Sequence, residues 1–172
     1  MDFSELIQTR ESIRDYDPDR TVNHQVIKRI LDAGRLAPSA ANRQPWKFIL
    51  VSSADMLKKV KECYHKPWFK DAPHILIVSG DMNESWTRSY NGYNSIETDL
   101  TIAMDHMILA AENEGVGTCW IAAFDTSILY KALGLSDNEK VFAITPLGYP
   151  HEGFNKKSNK IRKELKEVVK YI

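Results

Sequence analysis

Short β-favouring runs that alternate with amphipathic helical patterns predict a layered αβ domain with a partly parallel sheet. Three observations carry that expectation. The runs KFILVS (47–52) and ILIVSG (75–80) read as strands, separated by a helical pattern through Met56, Leu57 and Val60. The stretch 96–114 is apolar around most of its helical circumference, so it reads as a helix buried on several sides. With 172 residues the chain has room for one domain with a real core, and not for a dinucleotide domain beside a substrate domain.

The elements follow in order. Asp2, with Glu5 three residues on, marks a helix start whose apolar face is Phe3, Leu6 and Ile7. A second helix begins after Asn23 as a cap, repeats Val26, Ile27, Ile30 and Leu31, and ends before Pro38. Pro73 marks the entry to the second strand. The segment 81–95 is polar and aperiodic, with a turn signal at Asn91-Gly92, and reads as a mobile loop. Gly115 and Gly117 end the long helix, which in so small a domain is expected to be covered partly by a second subunit. Thr118 to Ala122 reads as a strand, a short helix runs from Thr126 to just before Gly134, and Val141 to Gly148 forms the last strand. Ile161, Leu165, Val168, Val169 and Ile172 fall on one face of a terminal helix.

Composition narrows the function. Lys plus Arg and Asp plus Glu both number 23, so no global field draws nucleic acid or an anionic membrane, and cationic clusters act locally. Neither terminus has a basic segment leading an apolar run, and no apolar stretch approaches membrane-spanning length, so a cytoplasmic location is expected. Cys63 and Cys119 do not make a disulfide framework and are expected to be reduced, and Cys119 reads as a small core residue. Gly115-x-Gly117 lacks a third glycine and follows a helix, so it is not a Rossmann fingerprint. The five histidines lack the paired spacing of a zinc site, and no nucleophile elbow or HExxH occurs.

Chemistry gathers in a few segments. In RESIR, Arg10, Ser12 and Arg14 alternate, so an extended backbone points all three the same way, neighbours roughly 6 to 7 Å apart. Two guanidinium forks and a hydroxyl suit a phosphate monoester, with Glu11 facing away. In LAPSAANRQPW, Ser39, Asn42 and Gln44 are uncharged hydrogen-bonding groups on a segment framed by Pro38 and Pro45. Such groups meet a polar, partly aromatic ligand without the desolvation cost of a full charge. In an ordinary loop, Ser39 would cap a short helix and Asn42 would make an Asx-turn. NKIRK adds Lys160 and Arg162, again two residues apart; the same charges would also suit a solvated helix face that carries Lys156, Lys157, Lys163 and Lys166.

These segments, with GVGTCWIAAFD (115–125) and LGYP (147–150), resemble the FMN-dependent nitroreductase family, in the same order and over nearly the whole chain. The resemblance implies an α+β fold: a three-layer αβα sandwich with a mixed, largely antiparallel sheet, in an intertwined homodimer whose C-terminal segment crosses to the partner. It implies one FMN-binding domain over 1–172 and active sites at the subunit interface. By resemblance Arg10, Ser12 and Arg14, with Lys160 and Arg162, hold the flavin phosphate and the polar ring edge, and Glu11 reaches the cofactor through its backbone. Pro38, Ser39, Ala40, Asn42 and Gln44 match the segment that reaches the flavin from the partner subunit. Trp120, Ile121, Ala122 and Ala123 match the segment against one face of the ring, with the N–H of Ala122 or Ala123 near N5. Many relatives have Gly or Glu where this chain has Ala, so only a backbone role carries over.

The implied activity is an NAD(P)H oxidoreductase, with NADH or NADPH as transient co-substrate. Nitroaromatics or quinones would be reduced by a ping-pong hydride mechanism at FMN N5, with no catalytic side chain and no metal. Trp68, Phe69, Trp86, Tyr90 and Tyr93 are candidates for the acceptor pocket, or equally for satellite core beneath loops. The alternatives are a dehalogenase or oxidase of the same fold, or a flavin-binding module that never turns over.

Overall fold

The computed structural model describes residues 1–157 and 160–172. Helix α1 (Phe3–Thr9) starts where the Asp2 carboxylate accepts the Glu5 N–H at 2.9 Å. Helix α2 (His24–Arg35) starts at Asn23, whose side chain accepts from Gln25 N at 2.8 Å. Then come β1 (Trp46–Val51), α3 (Ala54–Val60), the short α4 (Pro67–Asp71) and β2 (His74–Asp81). Helix α5 (Ile96–Asn113) is followed by β3 (Gly117–Thr118), α6 (Thr126–Leu133), β4 (Glu139–Gly148) and α7 (Leu165–Val168). Helix α4, absent from the pattern reading, has Pro67 at its first turn, where a missing N–H costs nothing.

The sheet order is β1-β2-β4-β3, and every ladder is antiparallel. The parallel component reduces to one bridge, Ser12 to Thr118, with the Ile13 N–H on Thr118 O at 2.8 Å. Helix-strand alternation therefore misled about strand direction, while the mixed, largely antiparallel sheet implied by resemblance is present. Strand β2 is central and buried on both faces, as its unbroken apolar run requires.

One core cluster joins α2 and α5 to the sheet through residues such as Ile30, Leu100, Met104 and Met107; the other joins α3, α4 and α6 through Val60, Phe69, Ile77 and Leu129. Helices on both faces of one sheet make the three layers. Close packing leaves no room for a side chain at Gly34, Gly80 or Gly148. A Cβ on Gly34 would lie 2.6 Å from Met107 Cγ, and one on Gly148 would lie 2.7 Å from Pro73 Cδ and 3.0 Å from Tyr16 Cδ1. The LGYP motif is thus where β4 closes against the segment that follows RESIR, with the Asp17 N–H on Tyr149 O at 2.9 Å.

Three elements depart from expectation. The strand expected over Thr118 to Ala122 pairs only at Gly117–Thr118 and again at Ile121, because the Cys119 N–H turns aside to Thr145 Oγ1 at 3.0 Å. The segment 81–95 is a hydrogen-bonded hairpin: Thr87 bridges Asn94, the Arg88 N–H donates to Tyr93 O at 2.8 Å, and Ser85 Oγ donates to Asn94 Oδ1 at 2.7 Å. The terminal helix shrinks to one turn. Its apolar residues Ile161, Leu165, Val168 and Ile172 are exposed, and with no surface of their own chain to bury against they lose the packing that sustains a helix. None of the helices is long and apolar enough to cross a membrane, among the described residues.

Candidate active site

The two ends of the chain meet. Arg10, Ser12 and Arg14 line one cavity of about 380 Å³ together with Lys160 and Arg162. The extended run after α1 is aligned by its bridge to Thr118, so Ile13 turns into the core at 1% exposure while Ser12 and Arg14 face outward. Among the described residues, three contacts tie down the C-terminal side. Lys156 Nζ pairs with the buried Glu112 on α5, the Lys157 N–H donates to Glu11 at 3.2 Å, and Lys160 Nζ donates to Arg10 O. Glu112 is only 5% exposed through its side chain, so removing Lys156 would strand a buried carboxylate.

Glu11 corrects the sequence reading. It lines the same cavity as Arg10 and Arg14 instead of facing away. Strict alternation does not begin until Ser12, because Arg10 still closes α1 with its N–H on Leu6 O at 3.0 Å. Phe154, Asn155 and Lys157 also line the cavity and escaped the sequence reading, in which the lysines of this stretch suited a solvated helix face. Asn159, the first residue of NKIRK, lies outside the described residues.

The charges are crowded. Burial, then the neighbouring Arg10 and Arg162, pull the Lys160 ammonium below its usual range. Five cationic side chains and one carboxylate around one cavity leave positive charge that a dianion would neutralise. The donor set therefore fits the phosphate of a flavin mononucleotide. Cys119 lies beneath it, 2% exposed; burial raises its thiol pKa, against the opposing pull of Arg14, the Ser12 hydroxyl and Arg10. Such a thiol is inert, in keeping with a core role.

The segment 120–123 follows from the same strand. Ile121 exchanges both backbone hydrogen bonds with Ile144, at 3.0 and 2.9 Å, and is buried. Ala122 and Ala123 emerge exposed immediately after this anchor. Trp120 is half-buried and packs edge-on against Phe142, ring centres 6.2 Å apart.

The 38–44 segment does not line the cationic cavity of its own chain. It forms a single 3-10 turn over Ala40–Asn42, fastened to α5 by the Ala40 N–H on Asp99 Oδ1 at 2.8 Å. Ser39 does not cap that turn. Its Oγ accepts the Gln44 N–H at 2.9 Å, and the Gln44 amide donates to Asn42 Oδ1 at 3.1 Å in place of an Asx-turn. Pro38, Asn42 and Gln44 are exposed, and Ser39 and Ala40 are half-buried.

The aromatic candidates divide. Phe69 is fully buried in the second core cluster, so it packs the interior and presents no surface to an acceptor. Trp68 is half-buried between Tyr16 and Tyr64, with the Arg14 guanidinium 6.0 Å from its ring centre. Tyr90 and Tyr93 are exposed on the hairpin and flank Arg88, at 5.4 and 4.8 Å from ring centre to guanidinium. Trp86 is half-buried at the hairpin's base.

Comparison with known proteins gives the same family from sequence and from structure. The nitroreductase family profile matches residues 7–66 and 57–149. A relative from Archaeoglobus fulgidus, named as an NADH dehydrogenase/NAD(P)H nitroreductase, is 36% identical over 86% of this chain and 84% of its own. The crystal structure of a nitroreductase family protein from Clostridium difficile 630 superposes with a TM-score of 0.91 at 32% identity, covering 99% of this chain and 98% of that one. An FMN-dependent nitroreductase from Clostridium difficile R20291 superposes with a TM-score of 0.75 at 25% identity, covering 90% and 91%. With the sheet, the paired helical layers and the cationic cavity in place, the chain belongs to the nitroreductase family.

Proposed function

We propose that this chain, as one domain over 1–172, is an FMN-dependent NAD(P)H oxidoreductase that reduces nitroaromatics, quinones or similar acceptors. The observation that carries the reading is the convergence of Arg10, Arg14, Lys160 and Arg162 on one cavity in a member of this family. Arg14 and Arg162 hold the phosphate through paired hydrogen bonds, Lys160 adds a point charge, and Ser12 donates its hydroxyl. The exposed backbone at Ala122 and Ala123 offers a neutral donor to the ring edge. FMN, when bound, supplies the chemistry by accepting hydride from the reduced nicotinamide and passing electrons to the acceptor. NAD(P)H and acceptor use one face in turn, so turnover is ping-pong.

The catalytic unit is a homodimer. Its partner supplies the 38–44 segment to each site, and the exposed C-terminal residues Leu165, Val168 and Ile172 are buried by crossing to that partner. Tyr90, Tyr93, Trp86 and Trp68 are the aromatic groups available to stack on an acceptor. The location assigned on this reading is cytoplasmic.

The test is a purified preparation. The protein is expected to be yellow, to release a chromophore that runs as FMN, and to give parallel double-reciprocal plots when NAD(P)H and a nitroaromatic or quinone are varied. Colourless protein that takes up no added FMN, or intersecting plots, would overturn the cofactor or the shared-face reading respectively. A panel with halogenated acceptors and oxygen alone separates nitroreduction from dehalogenase and oxidase activity.

A further inference from the structure

We propose that Asp99 is a positioning residue that holds the 38–44 segment in a strained, ligand-ready conformation; the inference rests on the flavin reading above. Ala41, Asn42 and Gln44 have φ of 50°, 54° and 50°, and none is glycine. Left-handed backbone is costly for residues with a Cβ, least so for Asn. Three such residues within four positions persist only where the surroundings impose them.

Asp99 is the group that imposes them. It lies in the first turn of α5 and is 1% exposed. One carboxylate oxygen accepts the Ser95 hydroxyl at 2.7 Å, and the other accepts the Ala40 N–H at 2.8 Å, immediately before the strained residues. The Asp99 N–H closes the helix turn on Ser95 O at 2.9 Å. The positive end of α5 favours the buried charge, so the acceptor is fixed before the segment reaches it. Ser39 Oγ and the Gln44 amide then knit the turn from within. Asn42, Arg43 and Gln44 are left exposed with little freedom, and a ligand meeting them pays a smaller ordering cost.

The arrangement predicts how variants behave. Asp99→Ala removes the acceptor and lets the segment relax, whereas Asp99→Asn keeps an oxygen for the Ala40 N–H. Ala41→Gly accepts a positive φ without strain, so it reduces the need for the clamp. In flavin fluorescence titrations of the full chain, Asp99→Ala is expected to weaken FMN binding about 10- to 100-fold, the range for losing a hydrogen bond to a charged group. Asp99→Asn is expected to stay within about threefold of the parent protein. Asp99→Ala with Ala41→Gly is expected to recover most of the loss, which a general defect in α5 would not do. The visible circular dichroism of bound flavin should change in Asp99→Ala and return in the double variant.

Amide exchange gives a readout that needs no flavin. The Ala40 N–H is expected to be protected in the parent and in Asp99→Asn, and to exchange fast in Asp99→Ala. The proposal is overturned if Asp99→Ala binds FMN within about twofold of the parent with unchanged dichroism. It also fails if Asp99→Asn is as weak as Asp99→Ala, or if Ala40 exchange is the same in all proteins. A parent protein that takes up no FMN refutes the flavin reading, while the exchange experiment still decides whether Asp99 holds the segment.

Discussion

On the proposed reading, the cationic cavity and the 38–44 segment meet two recognition problems by opposite means. The cavity gathers full charges from residues 150 positions apart, and its cationic side chains repel one another. The segment carries no acidic group and a single cation, Arg43; what it fixes is backbone shape. Charge recognition is long-ranged, tolerant of geometry and weakened by salt. Shape recognition is short-ranged and depends on strain held in the free protein. Each can therefore be damaged without harm to the other.

The largest expected effect is on the charge side. Arg14→Ala and Arg162→Ala each remove a fork from the phosphate, at about 1.5 to 3 kcal/mol per charged hydrogen-bonding group, so the double variant should be purified colourless. Both side chains are exposed, so urea midpoints should stay close to the parent's, with stability changes within about 0.5 kcal/mol. The residual FMN affinity of the single variants should also depend less steeply on salt. Full flavin occupancy in the double variant would remove the phosphate assignment and, with it, the contrast between the two regions.

That contrast also explains what could be read in advance. Charges at period two are visible in a sequence, and Arg10, Ser12, Arg14, Lys160 and Arg162 do meet. Caps are local, so Asp2 and Asn23 were legible as helix starts. Positive φ at Ala41 and Gln44 was hidden, because these residues do not advertise it as glycine does. Asp99 was hidden too: an acidic residue in the first turn of a helix reads as a dipole partner, and its link to Ala40 spans 59 positions. Phe69 looked like a stacking candidate because composition cannot tell a buried ring from a pocket wall.

The second expected effect is on the shape side and has the opposite sign. Ala41→Gly should raise the unfolding free energy of the flavin-free protein by about 0.5 to 1 kcal/mol, as relieved left-handed strain exceeds the added freedom of the unfolded chain. A urea titration against the parent measures it. A loss of stability would mean that Ala41 is not strained and that the segment's shape is intrinsic to its sequence.

The smallest effect distinguishes the regions by pH. His151 Nδ1 is paired with Asp15, which joins the end of β4 to the RESIR side of the cavity; the 38–44 segment has no group that titrates near neutrality. The Asp15 side chain holds the His151 imidazolium above its ordinary 6.5, and His151 in turn lowers Asp15 below 3.8. A raised histidine pKa means that the pair's contribution is complete below 6.5 and is lost as pH rises through the folded-state value. For Asp15 the contribution is complete above 3.8 and is lost as pH falls through the depressed value. The stability difference between the parent and His151→Asn should therefore be greatest between about pH 4 and 6.5 and should fade as pH rises through the raised folded-state value of His151. His74, buried with its Nε2 accepting the Val22 N–H, has a lowered pKa and loses stability as pH falls, so it opposes His151 in the total but cancels in the difference. Imidazole proton shifts followed through the titration give the two histidines separately. Equal pH profiles for parent and variant would show that the Asp15–His151 pair contributes nothing to stability.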